Sequence, residues 1–70
     1  MAEAFLIETE QEVDGRWIAE VPRLPGTLVY AATREQAIAR AQALALRIIA
    51  DRIEHGEDVP EIARHFVVAA

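Results

Sequence analysis

Glu8, Glu10 and Glu12 recur at period two along one short segment, and Glu20 stands in the next alternating run. In an extended strand, residues two apart share a face about 7 Å from each other. The period therefore lines carboxylates up in a row. Carboxylates drawn from several elements onto one point hold divalent metals for phosphodiester hydrolysis. A single row does not converge in that way, and a helix covering the opposite face adds no further ligand. The row reads instead as a solvated outer face or as a contact surface for a basic protein.

The other chemistry-bearing residue types are sparse. The chain has no cysteine and no serine, which excludes a thiolate nucleophile, a cysteine zinc site, a disulfide framework and a serine triad. Its two histidines are His55 and His65. Together with Glu57 or Asp58 they have no recognisable zinc spacing. His55 has its own reason to be there, because a cation at a helix C-terminus meets the negative end of the dipole. The glycines of Asp14-Gly15 and Pro25-Gly26 are isolated and form no phosphate cradle. Trp17 reads as a core or interface anchor, since its acidic surroundings disfavour base stacking.

The elements must come from 70 residues, 53% of them hydrophobic and 27% charged, with a net charge of −5. That is one soluble globular domain. Residues 1–33 carry six acids against two arginines, −4, and residues 34–70 six acids against five arginines, −1. The negative charge concentrates where the strands are expected, and its sign disfavours free-standing nucleic-acid binding. The apolar run Ala41–Ala50 is interrupted by Gln42 and Arg47 and is too short to span a bilayer. No signal-peptide pattern is present, so the expected compartment is the cytoplasm.

Phe5 to Gln11 alternates as a strand, Asp14-Gly15 marks a turn, and Arg16 to Val21 is a second strand ended by Pro22. A two-residue loop would put Trp17, Ala19 and Val21 on the glutamate face. A three-residue loop, Val13-Asp14-Gly15 with Gly15 in the left-handed region, sets Gln11 opposite Trp17 and Ile7 opposite Val21. Phe5, Ile7, Trp17, Ala19 and Val21 then share one side. Glu8, Glu10, Glu12, Arg16, Ile18 and Glu20 share the other. A one-residue slip inverts every side chain, so the apolar pattern selects the second register.

Pro22 to Gly26 is a stiff connector into a third strand, Thr27 to Ala31, apolar on both parities. Thr33 and Gln36 fit a capping box opening a helix that runs to about His55, with Gly56 as terminator. Ala37, Ala41, Leu44, Ala45, Ile48 and Arg52 trace one stripe. Ala39, Ala43, Leu46, Ala50 and Ile53 trace a second, with Ile49 beside it. A helix on a small sheet needs one apolar stripe. The second implies another buried surface, with Leu46, Ile49, Ala50 and Ile53 as an oligomer interface. Phe66-Val67-Val68 reads as a fourth strand, parallel beside the first by right-handed crossover. The expected class is α+β: a two-layer β-β-β-α-β domain with a mixed, mostly antiparallel sheet and one helix on one face.

These residues carry a family resemblance. Asp14-Gly15-x-Trp17-x-Ala19-x-Val21-Pro22-x-Leu24-Pro25-Gly26, then Thr33-x-x-Gln36-Ala37 opening a helix, then Gly56-x-x-Val59-Pro60, resembles the HicB-like antitoxins over residues 5 to 62. The resemblance implies a truncated ribonuclease-H-like domain that acts by binding rather than catalysis, without metal or cofactor. It implies a partner too: a small basic ribonuclease toxin of the HicA type, besides self-association as a dimer or tetramer. Many members add a C-terminal DNA-binding domain, so direct DNA binding is not expected of this chain. Members often show glycine two residues before the threonine cap, where this chain has Ala31. On parity and charge, Glu8, Glu10, Glu12 and Glu20 around Ile18 are the expected toxin-contact residues.

Overall fold

The hairpin forms in the register that the apolar parity selects. In the computed structural model, which describes residues 4–63 and 65–69, strand β1 is Glu8–Gln11 and β2 is Trp17–Glu20. They pair antiparallel with Gln11 opposite Trp17, Glu10 opposite Ile18, Thr9 opposite Ala19 and Glu8 opposite Glu20. Gly15 has φ +92°, its N–H donates to the Glu12 carbonyl at 2.9 Å, and the Glu12 N–H donates to the Arg16 carbonyl at 2.7 Å. This is the three-residue loop with a glycine in the left-handed region.

Strand β3, Val29–Ala31, pairs antiparallel with β2, Ile18 standing opposite Tyr30. The sheet order is β1-β2-β3. The connector before β3 is held by Thr27, whose buried hydroxyl accepts from the Val21 N–H at 2.9 Å. The same oxygen lies 2.9 Å from the Val21 carbonyl and 2.8 Å from the Leu24 carbonyl, either of which takes its single proton.

Helix α1, Arg34–Glu54, has Thr33 as N-cap, its hydroxyl accepting from the Gln36 N–H at 3.1 Å. At its end the Gly56 N–H donates to the Ile53 carbonyl and the Glu57 N–H to the Arg52 carbonyl, with Gly56 at φ +79°. That pair of bonds is a Schellman closure, which needs the left-handed residue that glycine supplies at least cost.

Helix and sheet meet through methyl groups. Ala37 and Ala41 of α1 are buried against Ala19 and Ala31 of the sheet, with Trp17, Val29 and Ile7 around them. A second cluster, Val21, Leu24, Ala45, Ile49 and Val59, is flanked by Phe5, Ile7, Ile48 and Ile62. The short helix α2, Pro60–Ala63, supplies Ile62 to that cluster. Its Glu61 is buried, with Oε2 2.7 Å from Arg23 Nη1. The pair is in ionic contact, but its angles fall outside hydrogen-bonding geometry.

Two expectations are corrected. Phe66-Val67-Val68 is not a strand: among the described residues the sheet has three strands, all antiparallel, and these three side chains are 73%, 93% and 93% exposed. Ile49 is not free for an oligomer interface, being only 4% exposed. Buried positions on α1 fall at steps of four, Ala37, Ala41, Ala45 and Ile49. Each such step turns about 40° past a full circle at 3.6 residues per turn. The buried line therefore winds towards the second stripe and takes in Ile49. Leu46, Ala50 and Ile53 remain exposed.

Candidate functional site

The sheet has one covered and one open face, because strands alternate and α1 packs on one side only. Ala19 and Val21 of the covered parity are buried in the two core clusters. Residues of the other parity, Glu8, Glu10, Ile18 and Glu20, line a shallow open depression together with Thr9. The structure thus brings Glu8, Glu10, Ile18 and Glu20 together. Glu12 stands just past the end of β1, half-buried, where its backbone closes the hairpin loop.

The register fixes how these groups neighbour one another. Glu8 and Glu20 are directly opposite, a like-charge pair with Cβ atoms roughly 5 Å apart. Such a pair costs stability in the free chain. Glu10, Ile18 and Tyr30 form a row across all three strands. Ile18 is the apolar centre of this row, half-buried between a carboxylate and an aromatic ring. Among the described residues no group of three or more His, Asp or Glu side chains is placed to hold a metal ion.

Tyr30 and Arg16 extend the face beyond the residues expected from parity and charge. The Arg16 guanidinium carbon lies 4.6 Å from the centroid of the Tyr30 ring, a cation–π contact. Its Nε also donates to Asp14 Oδ2 at 2.8 Å. The Arg16 guanidinium is thereby committed to Tyr30 and Asp14 rather than to the glutamate row. Asp14 is held below the usual carboxylate range, first by the Arg16 backbone N–H donating to Oδ1 at 3.0 Å and further by the Arg16 guanidinium. Tyr30 was hidden in the sequence because Leu28 to Ala31 is apolar on both parities. The usable signal is the pairing itself: once β2 shows Ile18 outward, its partner Tyr30 must follow.

On the helix, Leu46, Ala50 and Ile53 form an exposed line remote from the open sheet face, while Ile49 lies in the core beneath. His55 caps α1, with Nδ1 2.7 Å from the Asp51 carbonyl oxygen and 3.4 Å from the Asp51 carboxylate. No helix among the described residues is long and apolar enough to cross a membrane.

Comparison with protein-family models, with curated proteins and with solved structures returned no match.

Proposed function

We propose that the chain is a HicB-like antitoxin module that binds and masks a small basic ribonuclease toxin of the HicA type in the cytoplasm. The observation that carries this reading is the open sheet face, where Glu8, Glu10 and Glu20 surround Ile18. A carboxylate rim around an apolar centre is the complement of a basic surface that must bind RNA phosphates. On this reading the chain works sterically and electrostatically, with no catalytic residue and no cofactor. The motif run from Asp14 to Gly26 supports it, since that run builds the hairpin and connector presenting the face.

The test is a search of the neighbouring reading frames for a small basic chain, followed by association kinetics with it. Glu8→Lys/Glu10→Lys should slow association by an order of magnitude or more at low salt and flatten its salt dependence. Unchanged kinetics would remove the glutamate row from the mechanism. The lack of any small basic neighbour, or of any binding by it, would remove the toxin.

Exposed Leu46, Ala50 and Ile53 on α1 favour a second reading, a homo-oligomeric interaction module without a toxin. Leu46→Glu/Ile53→Glu should then dissociate the assembly in light scattering, and a monomeric wild-type chain would reject that reading.

A further inference from the structure

An apolar groove of about 420 Å³ runs between the start of β1 and the side of α1, walled by Phe5, Ile7, Val21, Leu46, Ile49 and Ile62. It exists because the helix sits mainly over β2 and β3, leaving the covered face of β1 only partly clad. Beside it, β1 is an edge: the sheet order is β1-β2-β3, so among the described residues its outer backbone groups have no strand neighbour. An unpaired edge next to an apolar groove is a template for one added strand.

The same chain carries an apolar segment without a place. Phe66, Val67 and Val68 are 73%, 93% and 93% exposed, and the stretch from His65 to Ala69 holds no carboxylate side chain. Ile62, four residues earlier, already lines the groove, yet the segment leaves the domain instead of lying along it. The Cα radius of gyration is 14.0 Å, against roughly 11 Å for a compact 70-residue domain. The long axis is 52 Å, well beyond the length of roughly 31 Å that 21 helical residues span.

We propose that the groove and the β1 edge receive residues 65–69 of a second copy of this chain, which pair beside β1 as a fourth strand in a reciprocal, two-fold exchange. Alternation puts Phe66 and Val68 on one side, into the groove, and Val67 on the open face. The absence of negative side chains suits an edge flanked by Glu8, Glu10 and Glu12. Two copies of Phe66 alone contribute roughly 300–500 Å². The matching groove walls and the two copies of Val68 add to that apolar area. Exchange of an identical element is a low-cost route to a dimer, and a small domain without disulfides gains most from one. The inference is independent of the toxin-binding reading, since it uses the β1 edge and groove and leaves Ile18 and Tyr30 free.

Light scattering of the full chain at tens of micromolar should give twice the 7.8 kDa chain mass. Phe66→Glu/Val68→Glu should give the single-chain mass with an unchanged helical circular-dichroism signal, because these side chains touch no core cluster. The chain has no native cysteine, so one pair can be introduced cleanly. Glu8→Cys and Val67→Cys, carried on separate chains and mixed, should join through a short bismaleimide into a covalent heterodimer. A monomeric wild type would overturn the proposal. So would a Phe66→Glu/Val68→Glu variant that keeps the dimer mass, or a Glu8→Cys/Val67→Cys double variant that closes within one chain.

Discussion

The Thr27 hydroxyl accepts the Val21 backbone N–H at 2.9 Å inside the protein, where no water competes for either group. This bond ties the end of β2 to the start of the third strand across the Pro22–Gly26 connector. Thr27→Val keeps the shape and removes the acceptor, stranding a buried N–H. The expected loss is about 1–3 kcal/mol in urea-denaturation stability. Thr27→Ser should recover most of it. Equal stability of the valine and serine variants would show that packing, not the hydroxyl, holds the connector.

Arg23 and Glu61 make a one-sided pair: the carboxylate side chain is 7% exposed and the guanidinium side chain 67%. Removing the cation leaves a buried charge without compensation. For a fully buried pair that costs about 3–5 kcal/mol, and solvent reaching the arginine reduces the expectation to about 1–2 kcal/mol for Arg23→Met. Arg23→Met/Glu61→Gln should be less destabilised than Arg23→Met alone. Additive losses in the double-mutant cycle would show that the two charges do not act on each other.

Glu8 and Glu20 should trade stability against partner binding. They stand opposite each other in the register, so Glu20→Lys turns a repulsive pair into an attractive one. The free chain should gain about 0.2–1 kcal/mol while association with the basic partner slows. A variant that is both less stable and equally fast in binding would contradict the proposed role of the face.

The hairpin should have an acid limb set by Asp14. Its carboxyl is held below the usual range by the Arg16 backbone N–H and guanidinium, so the folded chain binds this proton more weakly than the unfolded chain. The stabilisation is therefore complete above the unfolded carboxyl value and is lost as pH falls through the lower, folded value. Asp14→Asn should lower the thermal midpoint at neutral pH and converge with wild type in strong acid. A midpoint difference that stays constant with pH would assign the effect to turn geometry instead of charge.

Much of the open face was legible because parity in a hairpin admits two answers and only one buries Trp17, Ala19 and Val21. The helix limits were legible as well, since Thr33 and Gly56 act locally. What stayed hidden depends on longer-range geometry. Tyr30 sits in a strand apolar on both sides, so its facing comes from pairing to Ile18. Ile49 belongs to a line whose slow rotation about the helix axis emerges only when Ala37, Ala41 and Ala45 are pressed against the sheet. Phe66-Val67-Val68 has the side chains of a strand, but strand formation needs a neighbouring edge, and within one chain it does not reach one.

Alanine meeting alanine between α1 and the sheet has a mechanical consequence. Where Ala37 and Ala41 meet Ala19 and Ala31, only methyl groups separate the two backbones, and that contact holds no long side chain whose rotamers could absorb a disturbance. Any bulk added at Ala37 or Ala41 must lift the helix or bend the strands beneath it. The contour that the carboxylates present to a visitor is thus moulded from behind, by residues the visitor never meets.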